Sequence, residues 1–525
     1  MSAAISVVSQ SPRTPINRHI FGYFIEHFHR LIYGGIYEPG SQFADVDGFR
    51  TDVADALREL GVPIVRWPGG CFVSSYEWLD GVGPERTPSF DKAWRVDDPN
   101  TFGTAEFVAW CELVGAEPYI CTNAGTGTAV EMADWVEYCN AAGVGTWASL
   151  RRQHGFGRPL GVQHWSIGNE NYGTWEMGAK GPEEWARFVT ESAKMMRRVD
   201  PDIRLVTAAR ADLSWTLPLL QSAGPYLDAV AIHGYWDKLW VVDEPSDYLR
   251  CVGRSGEPED DIRTMRSIIK AAGYEGRVSI AFDEWNLRGW HHPPGNDDQA
   301  LEARRLNDRH ETYTMADAIF SAGFLNGCIR NADVVSMANL APLVNGRGPL
   351  YADEHGIVRR TTFHAMHLYS RLLGDEYVES SGHSIALDCG EGVSIPAVDT
   401  VATRNPDGTL VLALVNRHPQ RELDCRVDID GSPVVGGATV DVLAGDHVDA
   451  FNSPSEPERV APRRSEVDLA DGVVRLPAHS ITILTVEDAI AAAVTAHEWV
   501  RKPGHGWNAT ESAISSGRSR VDWAF

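Results

Sequence analysis

The stretch VQHWSIGNEN, residues 162–171, decides how the rest of the sequence is interpreted. An apolar run through Trp165 and Ile167 ends abruptly at Gly168 and is followed by Asn169 and Glu170. A buried strand gains nothing from an ionisable side chain, because a buried charge must be paired or hydrogen-bonded. A strand that ends in a carboxylate between two amides therefore indicates a functional site at its C-terminal end.

Eight such runs recur between residues 20 and 342, and helical patterns lie between them. They are continuous apolar runs, without strict alternation, which is typical of buried parallel strands. The runs are IFGYFIE (20–26), VPIVRWPGG (62–70), EPYICTN (117–123), VQHWSIGNE (162–170), IRLVTAA (203–209), AVAIHGY (229–235), VSIAFDEWN (278–286) and VVSMANLAP (334–342). Eight strand–helix units predict an α/β fold, a (β/α)8 TIM barrel over residues 19–370. Its chemistry is expected at the strand ends, which carry Glu26, Arg66, Asn123, Glu170, His233, Glu284 and Asn339.

After residue 370 the pattern changes to short β-rich runs separated by turn residues, such as TLVLALVNRH (409–418) and LDCRVDI (423–429). This predicts a second domain at 371–489, a jelly-roll-like antiparallel β-sandwich. The segment 1–18 contains AISVVSQ, a candidate strand for the same sandwich. The tail, residues 490–525, has no clear period, and we assign it no role.

Composition narrows the class of partner. The 525 residues carry a net charge of −25, which disfavours nucleic acid and anionic membranes and favours a small neutral substrate. The N-terminal MSAAISVVSQSPRTP lacks the features of a signal peptide, and no run approaches the ~20 apolar residues of a membrane span. Eight cysteines without a CxxC pair suggest reduced thiols. Together these features predict a cytoplasmic protein.

Glu170 and Glu284 end the fourth and seventh predicted strands, whose ends can face each other across a barrel mouth. Two facing carboxylates are what glycoside hydrolysis requires: one protonates the leaving oxygen while the other attacks the anomeric carbon. A separation of roughly 5–5.5 Å gives retention of configuration, and roughly 6.5–9.5 Å gives inversion. On this interpretation, the pKa of Glu170 should be raised, and hydrogen-bond donors should surround an ionised Glu284.

Four blocks carry a specific resemblance: IFGYFIEHFHRLIYGGIYEPGS (20–41), RWPGGCFVSSYEWLDGVGPERTP (66–88), SIGNEN (166–171) and FDEWN (282–286). Over residues 5–488 the chain resembles the α-L-arabinofuranosidases of glycoside hydrolase family 51. The resemblance implies a retaining exo-enzyme that removes terminal arabinofuranosyl units from small saccharides or glycosides, with Glu170 as acid/base and Glu284 as nucleophile. It also implies a homo-oligomer, often a hexamer, that requires neither a metal nor another cofactor.

The same resemblance supplies candidate substrate-binding residues. Glu26 matches a carboxylate that binds sugar hydroxyls, and Asn169 matches an amide that contacts the 2-hydroxyl. Trp175 and Trp285 resemble the walls of a furanose pocket.

Two further matches concern the nucleophile itself. Tyr235 matches a tyrosine that orients it. Arg66 matches an arginine that lies beside it and favours its ionised form.

Two positions depart from the family pattern. Cys71 stands where many members carry Asn, and it suits either packing beside the pocket or a direct sugar contact. Pro342 stands where Gln is usual, which removes a hydrogen bond to the exocyclic end of the sugar. Asn339 is a candidate substitute for that contact, and a structural amide is an equal alternative.

Three other functions stay open at this point. The first is a related glycosidase, such as a D-galactofuranosidase or a β-xylosidase, that uses the same two glutamates. The second is a carbohydrate-binding barrel without catalysis. The third, a metal-dependent barrel isomerase, needs histidine and carboxylate ligands together, and we expect the strand ends not to supply that cluster.

Overall fold

A computed structural model describes residues 3–242, 244–291 and 302–487. The first two strands of the chain lie outside the barrel, in the sheets of the second domain. The next eight strands of the main sheet are parallel and close on themselves, so the predicted TIM barrel is confirmed. The strands up to residue 340 are β1 (Ala3–Val7), β2 (Thr14–Pro15), β3 (Gly22–Phe24), β4 (Ile64–Trp67), β5 (Ser89–Asp91), β6 (Val96–Asp98), β7 (Glu117–Thr122), β8 (His164–Ile167), β9 (Arg204–Ala208), β10 (Ala229–Asp237), β11 (Ser279–Arg288) and β12 (Val335–Leu340).

The barrel runs in chain order from β3 to β12 and closes where Leu340 pairs with Tyr23, while β5 and β6 form a separate hairpin. Helices cover its outer surface. They are α1 (Thr51–Leu60), α2 (Thr104–Val114), α3 (Ala129–Asn140), α4 (Thr146–Gln153), α5 (Pro182–Val199), α6 (Leu213–Ala223), α7 (Leu239–Val242), α8 (Tyr248–Gly253), α9 (Glu257–Ala271), α10 (Met315–Arg330) and α11 (Thr361–Leu372). Among the described residues, no helix has both the length and the apolar character needed to cross a membrane.

The strands after α11 build two facing sheets, and the predicted sandwich is confirmed. Strands β13 (Leu350–Asp353) and β14 (Gly356–Arg359) precede α11 and pair with each other. The strands after α11 are β15 (Glu376–Val378), β16 (Ser380–Ser384), β17 (Ala386–Asp388), β18 (Ser394–Pro396), β19 (Val398–Arg404), β20 (Leu410–Asn416), β21 (Leu423–Ile429), β22 (Ser432–Pro433), β23 (Gly436–Ala444), β24 (Arg463–Leu469), β25 (Val473–Leu476) and β26 (Ser480–Val486), of which β17 and β18 form a separate pair. Strand β1 pairs antiparallel with β16 and parallel with β21, so this sheet is not purely antiparallel. We propose residues 19–370 and 371–489 as the two domains. The interpretation of residues 490–525 lies outside the described residues.

Helix α10 lies between barrel and sandwich, which is why its residues from Met315 to Ile329 are all buried. At its end, Arg330 bonds Glu259 of α9 at 2.8 Å and Asp399 of β19 at 3.0 Å. The two domains therefore share one apolar layer and an ion-paired edge.

The strand ends bring the candidate residues to the barrel mouth. After β8 the backbone bends through Gly168 and Glu170, with φ of 73° and 45°. A glutamate rarely adopts a positive φ, and residues in such conformations cluster at functional sites. The bend turns the Glu170 side chain toward β10 and β11, two strands that pair with each other and on which His233 and Glu284 are register partners.

Candidate active site

Glu170 and Glu284 meet at the barrel mouth. One oxygen of each carboxylate and one nitrogen of His233 all lie within 4.8 Å of one another. Both glutamates are largely enclosed, and Glu284 is 7% exposed. Such closeness is typical of the narrower of the two arrangements used for glycoside hydrolysis, in which the two carboxyl groups lie roughly 5–5.5 Å apart.

Donors hold both oxygens of Glu284. The Tyr235 hydroxyl, on β10, donates to Oε1 at 2.5 Å, and Nη1 of Arg66, on β4, donates to Oε2 at 2.9 Å. The carboxylate is thereby fixed in one orientation.

Arg66 is fully buried and serves several partners at once. Its Nη2 donates to Oδ1 of Asn169 at 2.8 Å, and its Nε lies 3.3 Å from Asp283. Because its charge is taken up by protein groups, Arg66 positions Glu284 and Asn169. The Nδ2 of Asn169 is buried without a partner among the described residues, so this amide keeps a donor for a ligand.

The pKa expected for Glu170 is wrong. Burial raises the pKa of this carboxyl, but the bond from His233 Nδ1 at 2.8 Å and the bond from Trp175 Nε1 at 2.8 Å, helped by the charge of Arg66, bring it below its usual value. The sequence pattern did not reveal these donors. In the free protein, Glu170 is therefore an ionised partner of an imidazolium.

His233 carries that charge. Burial lowers its pKa, but Glu284, Asp283 and Glu170 together raise the pKa to about 10. Its Nε2 bonds Asp283 at 3.0 Å, and Asp283 accepts from the Tyr119 hydroxyl at 2.8 Å, which fixes the ring. His233 and the two glutamates form a histidine–carboxylate cluster, so the expectation that the strand ends lack one is wrong. The protonated ring of His233 donates to Glu170. The cluster is therefore better suited to holding a proton than to binding a metal ion.

Glu26 receives three hydrogen bonds on one oxygen. Oε1 accepts from the backbone N–H groups of Gly70 and Phe72 at 2.9 and 3.1 Å, and from Trp94 Nε1 at 2.8 Å. Burial, followed by the charge of Glu284, nevertheless raises the pKa of Glu26 to about 8. At neutral pH this residue is a neutral acid whose hydroxyl can donate to a ligand.

A third carboxyl lies behind Glu170. Atoms of Cys71, Glu170 and Glu176 lie within 4.8 Å of one another. Glu176 accepts from the Ser74 hydroxyl, and burial raises its pKa to about 7. Burial raises the pKa of the Cys71 thiol well above its usual range, so Cys71 stays a neutral thiol at the edge of the site.

The two candidate tryptophans have different positions. Trp175 lines a cavity of about 620 Å³ beside Glu170, and its ring is 65% exposed. The expectation that Trp285 walls the pocket is wrong: its ring is fully buried and stacks on Phe324 of α10, with centroids 3.7 Å apart. Neighbouring side chains of a strand point to opposite faces, so Trp285 faces the helices while Glu284 faces the mouth.

Asn339 makes a structural contact. Its Nδ2 donates to the Tyr23 carbonyl at 2.7 Å and ties β12 to β3 where the barrel closes. The loop that carries Pro342 instead brings in Arg347, whose Nη2 donates to the Tyr235 hydroxyl at 3.1 Å.

The sequence analysis missed or gave no role to several residues of this site. They are Trp94, Glu176, His233, Asp283 and Arg347. His233 was named at a strand end without a role, and Asp283 could have been found, because it lies in a predicted strand beside Glu284. Trp94, Glu176 and Arg347 come from loops, and no local pattern marks a loop residue that folds back onto a site.

A parallel barrel with two close carboxylates at the ends of its fourth and seventh strands is the apparatus of a glycoside hydrolase. Residues 56–253 match the family described as Alpha-L-arabinofuranosidase 1 domain, and residues 283–480 match the Alpha-L-arabinofuranosidase C-terminal domain.

Named relatives agree with the class. The chain is 34% identical to Alpha-L-arabinofuranosidase C of Emericella nidulans over 510 residues, which is 91% of this chain and 96% of that protein. It is 33% identical to an intracellular exo-alpha-(1->5)-L-arabinofuranosidase of Halalkalibacterium halodurans, over 79% of this chain and 84% of that protein. The arabinose complex of the Thermotoga maritima α-L-arabinofuranosidase is similar with a TM-score of 0.83 and 34% identity, over 93% of this chain and 100% of that one. The chain belongs to the α-L-arabinofuranosidases of glycoside hydrolase family 51.

Proposed function

We propose that this protein is a retaining exo-α-L-arabinofuranosidase that hydrolyses terminal non-reducing α-L-arabinofuranosyl residues of oligosaccharides or glycosides. The observation that carries the proposal is the approach of Glu170 and Glu284 to within 4.8 Å. At that spacing the second carboxylate attacks the sugar directly, so the configuration at the anomeric carbon is kept.

In the first step an oxygen of Glu284 bonds to the anomeric carbon as the glycosidic C–O bond breaks. The proton shared by Glu170 and His233 moves to the leaving oxygen through Glu170. Tyr235 and Arg66 keep the attacking carboxylate aligned, and the free donor of Asn169 faces the 2-hydroxyl, where hydrogen bonds strengthen as positive charge develops.

In the second step Glu170 takes a proton from water, and the resulting hydroxide attacks the anomeric carbon. The ester bond to Glu284 breaks, and the sugar leaves with its original configuration. The chemistry uses only protein groups and water, so we propose that neither a metal nor another cofactor takes part.

The leaving group fits the cavity of about 620 Å³ that opens beside Glu170. Trp175 and Trp240 border it with rings that are 65% and 42% exposed. Exposed indole faces suit the apolar faces of a saccharide or an aryl aglycone. The bond from Trp175 to Glu170 couples this side of the site to the acid/base group.

The cellular setting is part of the proposal. An intracellular enzyme acting on small imported saccharides agrees with the name of the Halalkalibacterium halodurans relative. The acidic net charge of −25 agrees with a neutral sugar substrate and with no nucleic-acid or membrane partner. The family resemblance supports a homo-oligomer such as a hexamer, which light scattering after size-exclusion chromatography would test.

The first experiment is hydrolysis of p-nitrophenyl glycosides. We expect the α-L-arabinofuranoside rate to exceed those of the β-D-galactofuranoside and β-D-xylopyranoside by at least about tenfold. A higher rate on either competitor would overturn the substrate and leave the two-glutamate mechanism in place.

A second experiment tests the nucleophile. We expect Glu284→Ala to lower kcat by about 10⁴-fold or more, because the covalent route is lost. Azide should restore turnover and yield an arabinofuranosyl azide of inverted configuration. Activity that survives the substitution would end the assignment. Activity lost in EDTA would favour the metal-dependent alternative.

A further inference from the structure

Arg347 lies in the loop between β12 and β13 and is 2% exposed. Its guanidinium lies 3.9 Å from the ring centre of Trp290 and 4.4 Å from that of Tyr235. Asn286 donates to the Arg347 carbonyl at 3.2 Å, which holds the loop against β11. The side chain is therefore placed firmly rather than left free at the surface.

The bonding of this guanidinium is incomplete. Its Nη2 donates to the Tyr235 hydroxyl at 3.1 Å, but Nε and Nη1 are buried without a hydrogen-bond partner among the described residues. A buried cation without a bonded carboxylate is costly, so such an arrangement indicates a missing acceptor. Burial lowers the pKa of Arg347, although Tyr235 and the charge of Glu284 oppose that shift.

Its position relative to Glu284 limits what the acceptor can be. Arg66 and Asn169 lie on the Oε2 side of the nucleophile, whereas Tyr235 and Arg347 lie on the Oε1 side. If Asn169 faces the 2-hydroxyl, Arg347 faces the opposite side of a bound furanose. That side carries the ring oxygen and the exocyclic carbon.

The charge of the transition state separates these two possibilities. Positive charge spreads over the anomeric carbon and the ring oxygen, and a fixed cation at the ring oxygen would oppose it. A guanidinium offers only donors, so the remaining partner is a hydroxyl oxygen that accepts. Arg347 has two buried donors, Nε and Nη1, without a partner among the described residues, and they can serve this hydroxyl.

We propose that Arg347 is a specificity-determining residue that binds the exocyclic C5 hydroxyl of the sugar. This inference rests on the function proposed above. It assigns to the loop that follows β12 the selection of substrates with an acceptor oxygen on the exocyclic carbon.

The test compares two substrates, p-nitrophenyl α-L-arabinofuranoside and its 5-deoxy analogue, with wild type and Arg347→Met. Methionine keeps apolar bulk and removes every donor. We expect kcat/KM to fall about 100-fold on the parent substrate, as for the loss of a hydrogen bond from a charged group, and less than about threefold on the 5-deoxy substrate. Equal losses of kcat/KM on both substrates would overturn the proposal, because a structural defect would affect the two substrates alike, with or without the 5-hydroxyl.

Two controls keep the result interpretable. Arg359→Met removes a guanidinium that pairs with Glu59 at the surface, and it should leave kcat/KM unchanged on both substrates. If Arg347→Met does not fold, Arg347→Gln is compared with wild type on the same two substrates. We then expect a smaller loss of kcat/KM, confined to the parent substrate. A wild type without arabinofuranosidase activity would overturn the proposed function and this inference together. An active wild type with equal losses would overturn only the role of Arg347.

Discussion

At the scale of single residues, we expect Glu26 to determine how the site responds to alkaline pH. Its pKa is raised to about 8 by burial and by Glu284, so it is protonated at neutral pH and donates from one oxygen while the other accepts from three N–H groups. Ionisation above that pH would place a second negative charge beside Glu284, the proposed nucleophile, and remove the donor.

Glutamine mimics the protonated form of Glu26, and alanine does not. We expect Glu26→Gln to keep kcat/KM within about tenfold of wild type at pH 6, while Glu26→Ala loses about 100-fold or more. In wild type, kcat/KM should fall as pH rises through about 8, and this fall should be absent in Glu26→Gln. Profiles of kcat/KM between about pH 5 and 9, measured for wild type and both variants, check the two expected losses and the fall near pH 8. If glutamine proves as damaging as alanine, the ionised carboxylate is the working form.

In the proposed mechanism, His233 and Glu170 share the proton that reaches the leaving group, across their 2.8 Å contact. The pair keeps that proton until pH approaches the pKa of His233, about 10. Without the imidazole, the proton would reside on a buried carboxyl alone, which releases it at much lower pH.

The substitution His233→Asn tests this sharing. We expect kcat/KM to drop about 100-fold, because the group that supplies and orients the proton is lost. The basic limb of its pH profile should move to lower pH than in wild type, where Glu26 sets it near 8. A basic limb that moves to higher pH would show that Glu170 holds its proton alone and that His233 merely lowers its pKa.

At the scale of elements, the turn after β4 brings backbone against the site. Gly69 has φ of 156°, and a Cβ at this position would lie 2.4 Å from Cγ of Glu26. The next glycine, Gly70, donates to the same carboxylate, and a Cβ there would lie 3.1 Å from Oε2 of Glu284. The turn can therefore approach both carboxylates only because it carries glycine.

Gly69→Ala is expected to displace Glu26 and to lower kcat/KM about 100-fold, because small misplacements at a site are costly. The matched control is Gly115→Ala, whose φ of 78° is also unfavourable to alanine but whose Cβ would meet nothing within 4 Å. This control should lose about 1 kcal/mol of stability and no activity. An equal loss of activity in the two variants would attribute the effect of Gly69→Ala to backbone strain, and thermal unfolding would measure that strain.

The elements also show how far sequence predicts this site. Strand order placed Glu170 and Glu284 correctly at the barrel mouth, because continuous apolar runs report buried parallel strands. Successive side chains along each strand point to opposite faces, and this alternation alone would have assigned Trp285 to the outer face. Arg347 and Trp94 were beyond reach, because their loops approach the site through tertiary packing that leaves no periodic pattern.

At the scale of the whole molecule, the barrel and the sandwich are joined through Arg330. This side chain bonds Glu259 at 2.8 Å on one side and Asp399 at 3.0 Å on the other, at the end of the buried helix α10. Burial raises the pKa of Asp399, but Arg330 and Arg417 bring it below its usual value of 3.8. A carboxyl whose folded pKa is lowered contributes stability above its unfolded pKa and loses it as pH falls through the folded pKa.

Arg330→Met is therefore expected to destabilise the protein by about 3 kcal/mol at pH 7, because Asp399 and Glu259 are left without their shared cation. The difference from wild type should shrink as pH falls through the lowered folded pKa of Asp399, below which this carboxyl is protonated in both proteins. Urea unfolding at a series of pH values measures the loss. Turnover at saturating substrate should stay unchanged, because Arg330 lies outside the barrel mouth.

Arg263→Met, which breaks an exposed pair with Asp260, serves as the control and should leave the unfolding midpoint in place. Equal unfolding midpoints for Arg330→Met and wild type would mean that the apolar contacts of α10 alone hold the two domains together.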